Sequence, residues 1–207
     1  MTRTLRLGLI AAAMTAFLGV MLASHLDRRA NGAEILLPVE GYDPRDILLG
    51  HYANIRTPLN RLATAALDGD DDFTAGDRIF VVLETGAGSL ARPVSIHREP
   101  PGSGLVALGR VLHVGPAHGE WVEETDPETG EIRRTHRAGE GEWIQARFNT
   151  ERYYASREQA LALETRLRER RDDGTTGVSL IVSVPADGGL IVKGFEMDGE
   201  RRIDRIW

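Results

Sequence analysis

Ser89, Ser95 and Ser103 could serve as nucleophiles, and Lys193, the only lysine in the chain, could serve as their base. A serine–lysine pair requires the lysine to be desolvated beside the hydroxyl, so that its amine is neutral and can take the proton. Lys193 sits in IVKGF just before a turn, the setting of a solvated strand face. No G-x-S-x-G elbow surrounds any of these serines, and spacing alone fixes no acid–base partner for them.

Other patterns also carry a chemistry. FVVLETGAGSLA places Gly86, Gly88 and Ala91 as G-x-G-x-x-A after an apolar strand, superficially a dinucleotide phosphate loop. That loop works only where a helix opens and turns its N–H groups to the pyrophosphate. Arg92-Pro93 and the strand-like VSIH follow instead, so a glycine-rich hairpin is expected. DGDDDF sets Asp68, Asp70 and Asp72 at alternate positions, oxygen ligands of the kind calcium takes. An EF-hand loop counted from Asp68 needs glycine where Phe73 stands and a bidentate acid where Ile79 stands, so a solvated acidic loop is expected. His113 and His118 are separated by Gly-Pro and share no helix face, as an H-x-x-x-H zinc pair would, and no third ligand is evident.

RFNTERYYASRE brings Glu151, Arg152 and two tyrosines to the entrance of a helix. In an extended segment Tyr153 and Tyr154 point to opposite faces, one into the core and one outward. Glu151 and Arg152 fit either a structural ion pair or a binding surface.

These residues need elements to hold them. Of the 207 residues 42% are apolar and 27% charged, enough for a folded core and against wholesale disorder. The net charge of −6 offers no concentrated basic surface, which argues against nucleic acid as a partner. With no cysteine there is no disulfide, thiolate metal site or cysteine nucleophile.

Leu7 to Ala23 reads LGLIAAAMTAFLGVMLA without a charge, about the minimum for a membrane-crossing helix. Arg3 and Arg6 precede it, while Asp27 offsets Arg28 and Arg29 beyond it, which places the amino terminus in the cytoplasm and the rest outside. A cleaved signal peptide is the competing reading, but LASHL lacks an A-x-A pattern, which favours an uncleaved anchor. DRRANGA, Asp27 to Ala33, reads as a short polar linker.

Beyond it, strands are expected at His51–Arg56, Arg78–Glu84, Val94–His97, Leu105–Val114, Glu120–Thr125, Glu131–His136, Glu142–Phe148, Val178–Val184, Leu190–Phe195 and Arg201–Ile206. DPETG, ADGG and MDGE supply turns between neighbours. One amphipathic helix is expected from about Arg157 to Arg171, capped by Ser156 and ended by Asp172-Asp173-Gly174. A shorter helix is expected through Pro58 to Leu67, with Thr57 as its cap. In GYDPRDILLGHY, Asp43 can cap a helical turn that Pro44 opens, Asp46 favours and Gly50 ends, with Ile47, Leu48 and Leu49 as its docking surface.

GYDPRDILLGHYANIRT resembles the signature of the GDYXXLXY family, with the motif positions at Gly50, His51, Tyr52, Ile55 and Thr57. Glycine and the first tyrosine match and isoleucine replaces leucine, whereas the acidic position is His51 and the final tyrosine is Thr57. ERYYASREQALALE and the closing VSLIVSVPADGGLIVKGFEMDGE are similar to the family's later segments, in the same order. The resemblance implies a small membrane-associated protein of a kind often encoded beside multipass membrane proteins, which suggests that partner class, and it brings no catalytic residues with it.

The expected fold class is therefore α+β: an N-terminal transmembrane helix, then a predominantly antiparallel β domain with one well-defined amphipathic helix. Residues 1–33 are assigned to the anchor and linker, and residues 34–207 to the domain. The functional expectation is a non-enzymatic, single-pass protein of the cell membrane whose extracytoplasmic domain binds or helps assemble a multipass membrane-protein partner. His51, Tyr52, Glu151, Arg152 and Tyr154 are the candidate partner-binding residues. An envelope hydrolase or peptidase-like enzyme is the second reading, and a small-ligand or cation-binding module using DGDDD or the GHY region the third. No cofactor and no metal-ligand set is expected.

Overall fold

The computed structural model describes residues 2–42, 52–117, 120–125, 132–137, 139, 141–154, 166–167 and 176–204. It opens with one 29-residue helix, α1 (Arg3–Asn31), long and apolar enough to cross a membrane and buried nowhere along its apolar stretch. The helix does not stop at the end of that stretch. Residues 27–31, expected as linker, form its last turn and more, so the linker assignment is corrected. Arg28 and Arg29 suit the negative end of the helix, and their side chains find partners on the sheet behind it. Gly32 then turns the chain into extended backbone, and a strand begins at once.

Four sheets follow. The first has the order β1-β13-β14-β15, formed by β1 (Ala33–Pro38), β13 (Val178–Val184), β14 (Ile191–Met197) and β15 (Glu200–Ile203). The largest has the order β4-β11-β8-β6-β7-β5, from β4 (Arg61–Ala63), β5 (Asp68–Gly69), β6 (Arg78–Thr85), β7 (Ala91–His97), β8 (Leu105–Pro116) and β11 (Glu142–Arg147). A three-stranded sheet, β12-β3-β2, combines β2 (Gly41–Tyr42), β3 (Tyr52–Arg56) and β12 (Arg152–Tyr154). β9 (Glu120–Thr125) and β10 (Ile132–Arg137) pair only with each other. All these ladders are antiparallel except the short β5–β7 pair.

The two larger sheets enclose one core. Ile35, Leu37, Leu180, Val182 and Phe195 come from the first, and Ile79, Val81, Ile96, Ala107, Val111 and Ile144 from the second. A parallel bridge between Leu36 and Leu90 joins them at one edge. β1 is buried on both faces, with Ile35, Leu36 and Leu37 all enclosed, so its apolar run carries no two-residue period.

The expected hairpins form. Gly86–Leu90 turns β6 into β7, closed by the Gly86 N–H donating to the Leu90 carbonyl at 2.8 Å, so the G-x-G-x-x-A segment is a hairpin whose tip, Ala87–Ser89, is a single 3-10 turn rather than the opening of an α-helix. β7 begins at Ala91, ahead of the expected Val94, and passes through Pro93 because the ladder shifts register beside it. A residue without an N–H fits at such an irregularity. Asp198 and Gly199 carry positive φ between β14 and β15, as an Asp-Gly turn demands.

The helix expected through Pro58 to Leu67 does not form. Pro58–Asn60 and Thr64–Ala66 are single 3-10 turns, and Arg61–Ala63 between them is a strand paired to β11. Pairing with β11 and burial of Leu62 outweigh the helix propensity of leucine, arginine and alanine here. Of the amphipathic helix, only residues 166 and 167 are described; they are helical, and Leu167 is buried. The turn proposed through residues 43–50 and the DPETG turn lie outside the described residues.

Candidate functional site

At the base of the domain the end of α1 is clamped to the first sheet. Arg28 pairs with Asp187 at 2.8 Å, and the Ser183 hydroxyl donates to the Arg28 carbonyl at 2.9 Å. Arg29 donates to the carbonyls of Lys193 and Asp204 at 3.0 and 2.8 Å, tying the helix to β14 and to the residue after β15. Next to this clamp Glu34 accepts from Lys193 Nζ at 2.5 Å and also pairs with Arg201. Lys193 is therefore not on a solvated face: its side chain is only 16% exposed and its charge is met by Glu34. A charged, paired ammonium is a poor proton acceptor, which weakens the serine–lysine reading further.

Hydrogen bonds from Lys193, then Arg201, hold the Glu34 carboxyl below its ordinary value of 4.5. The unfolded chain takes up this proton first, so the contribution to stability is present above about pH 4.5 and is lost as pH falls through the lower native value. Solvent screening keeps it to about 1 kcal/mol or less. Glu34→Gln should therefore melt below the wild type at about pH 7 and converge with it towards about pH 3. A melting difference that stays constant over that range would contradict the assignment.

The second constellation surrounds the three-stranded sheet. β3 and β12 pair with Tyr52 opposite Tyr154, Ala53 opposite Tyr153 and Asn54 opposite Arg152, so three of the predicted site residues meet on one ladder. His51 lies outside the described residues. Glu151 stands one residue before β12, and its Oε1 accepts from the Phe148 N–H at 2.7 Å and from Asn60 Nδ2 at 2.8 Å. Its carbonyl accepts from the Ile55 N–H at 2.8 Å. Glu151 thus fastens β3, β12 and the turn after β11 to one another.

Asn60 completes that fastening. Its Nδ2 also donates to the Ala146 carbonyl at 3.2 Å, and its Oδ1 accepts from both the N–H and the hydroxyl of Thr57, at 2.8 and 3.2 Å. Ile55 and Thr57, two of the signature positions, are each 1% exposed. Alternation along an extended chain turns them inward together. Their role is to seat the strand. Asn149 has φ of +63°, which lets the chain reverse between Phe148 and Glu151. Phe148 is buried over Gly109 of β8, where an added Cβ would come 2.5 Å from its ring.

A third arrangement was not placed by sequence reasoning. On β7, Ser95 Oγ lies 2.9 Å from His97 Nε2, and both side chains are partly buried. The signal was available: two residues apart on the expected strand VSIH, these side chains must share a face. Ser89 lies in the β6–β7 hairpin with φ of +64°. Lys193 is on a different sheet from Ser95, and Ser89 and Ser103 lie in turns between strands of that other sheet.

Two carboxylates of the DGDDD segment, those of Asp70 and Asp72, are engaged by Arg98. Asp70 Oδ2 accepts from the Arg98 N–H at 2.8 Å, and Asp72 pairs with the guanidinium at 3.0 Å, which also lies 5.6 Å from the Phe73 ring. Among the described residues no group of three or more His, Asp or Glu side chains has the arrangement of a metal site. His113 instead packs 5.3 Å from the Trp143 ring, and His118 is outside the described residues.

Compared with known families, residues 14–195 match the family model described as GDYXXLXY protein. No curated protein matches the chain.

Proposed function

Because the chain belongs to the GDYXXLXY family, we propose that it is a single-pass, extracytoplasmic membrane protein that binds or helps assemble a membrane-protein partner. The supporting observation is the clamp between α1 and the first sheet, through Arg28–Asp187, Ser183 and Arg29. A domain on a flexible linker would sample all orientations above a bilayer. A helix that runs directly into a clamped strand presents each surface of the domain at a set height and angle.

That height has a consequence for the partner. From Ala33 to Gly41 the extended chain can advance up to roughly 26 Å, a reach that allows the Tyr52–Tyr154 ladder to stand clear of the helix end. The partner is met by its extramembrane portion. Tyr52, Arg152 and Tyr154 form the contact row, with His51 beside it in sequence, and Glu151 holds the row in place.

A photoreactive residue substituted at Tyr52 or Tyr154 in intact cells should capture one specific multipass membrane protein, while the same residue at exposed Arg78 should not. The protein itself should resist carbonate extraction. Equal capture from all three positions, or repeated capture of no protein, would remove the proposal.

A further inference from the structure

Ser95 and His97 are a nucleophilic side chain and a potential base that β7 brings within hydrogen-bonding distance of each other. We propose that they form a nucleophile–base pair that acts on a neutral or cationic acyl ester in the aqueous phase. This stands apart from partner binding, because it uses a different sheet.

In the tautomer that leaves Nε2 unprotonated, the geometry permits general-base activation. Ser95 Oγ to His97 Nε2 is 2.9 Å, inside the range over which an imidazole can take a hydroxyl proton as the oxygen attacks. β7 is extended, so both side chains leave the same face, opposite to that of buried Ile96. The neighbouring register shapes what can approach. Val82 and Phe80 of β6 lie opposite Ser95 and His97, giving an apolar side. On the other side β5 sets Asp68 opposite Ser95 and Gly69 opposite Ile96.

Gly69 is bare for a reason that bears on the pair. With φ of +108°, a Cβ there would come 2.1 Å from the Ile96 carbonyl oxygen and 3.1 Å from His97 Cε1. A side chain would crowd the imidazole, whereas glycine leaves its edge open. β5 is a two-residue edge strand, so nothing further in that sheet covers the approach.

Charge and leaving group narrow the substrate. Asp68 lies opposite Ser95 on β5, Asp70 and Asp72 lie just beyond it with Arg98 bound to both, and β6 sets Val82 and Phe80 opposite the pair with exposed Arg78 two residues further along the same face. Acidic side chains on the open side repel an anionic substrate and admit a neutral or cationic one. Among the described residues no carboxylate hydrogen-bonds the His97 ring; Asp70 is engaged by the Arg98 N–H. An ester's alkoxide is a better leaving group than an amine anion, so a serine–histidine pair opens an ester more readily than an amide. A parallel bridge joins Leu36 to Leu90, so from Ala33 the strands can carry Ser95 up to roughly 26 Å away, a reach that suits a substrate in the aqueous phase.

In the step itself Ser95 Oγ bonds to the acyl carbon, its proton passes to His97 Nε2, and the ester C–O bond breaks with the alcohol leaving on that proton. Water then repeats the sequence, releasing the acid and restoring Ser95. A fluorophosphonate probe reports the first half: the Oγ–P bond forms, fluoride leaves, and the proton goes through His97 to solvent.

The full chain in mild detergent, treated with a fluorophosphonate and mapped by mass spectrometry, should carry the adduct on Ser95. Ser95→Ala should lose it, Ser89→Ala and Ser103→Ala should keep it, and His97→Gln should form it at least about 100-fold more slowly. The wild-type rate should fall as the imidazole is protonated, and that dependence should vanish in His97→Gln. Melting curves confirm that each variant is folded, and the wild-type map decides the matter even where one is not. Absence of an adduct on folded wild type, or an equal rate in His97→Gln, would overturn the proposal.

Discussion

Glu151→Ala should destabilise the domain by about 2–4 kcal/mol, from the loss of two hydrogen bonds to a charged acceptor. One oxygen, Oε1, serves the Phe148 N–H and Asn60 Nδ2 together, so truncation strands both donors at once. Asn60 is 9% exposed, and water cannot readily replace the lost partner. The damage spreads because Asn60 also holds Thr57 and Ala146, and through them the start of the 3-10 turn and the end of β11. Glu151→Gln keeps an oxygen in place and should cost about 1 kcal/mol, the value of an ordinary neutral hydrogen bond. Thermal or denaturant unfolding of the two variants separates the roles open to this residue. If Glu151 served chiefly as a contact for a partner, Glu151→Ala would melt with the wild type.

The contrast between what the sequence made legible and what it hid follows from the range of the interactions. Hairpins read well: Asp198-Gly199 and the Gly86–Leu90 turn are set by residues next to one another, and backbone sterics act locally. The apolar stretch of α1 read well because composition alone identifies it. Its last turn did not, because SHLDRRAN has no apolar face to announce a helix; contacts from Arg28 and Arg29 to residues more than 150 positions away hold it. β1 was missed for a related reason: a short apolar run buried on both faces, flanked by Gly32 and Pro38, carries no alternation. Lys193 seemed solvated in its local setting, and only the sheet order brings Glu34 within reach across β13.

The site divides along the same line. The sequence singles out Tyr52 and Tyr154 separately as candidate contact residues, and the β3–β12 register supplies the physical link between them, since they are directly opposite. Glu151 looked equally suited to a junction or a surface, and distinguishing them required knowing that Asn60, 91 residues away, points at it. Ser95 and His97 needed no long-range information. They were separable from the other serines by strand parity alone, once VSIH was taken as extended.

Gly32→Ala tests whether the junction below the domain is as tight as its contacts indicate. The residue has ordinary extended dihedrals, φ −68° and ψ 153°, so alanine is conformationally acceptable and any cost must come from crowding. The added Cβ would stand 2.2 Å from Ser183 Oγ and 2.9 Å from both Pro185 N and Val184 C. Ser183 could rotate away, but its hydroxyl then gives up the Arg28 carbonyl, and the Pro185 and Val184 backbone has no such freedom. The helix end must therefore move off β13, at a cost of about 1–3 kcal/mol for overpacking. Trypsin should then cut after Arg28 or Arg29 faster than in the wild type, since the clamp that holds both arginines is loosened. Gly8→Ala and Gly19→Ala are the controls, because a Cβ at either meets nothing within 4 Å. Equal melting and equal cleavage in Gly32→Ala and these controls would mean that the domain is not clamped to its anchor, and the fixed presentation of the Tyr52–Tyr154 ladder would lose its basis.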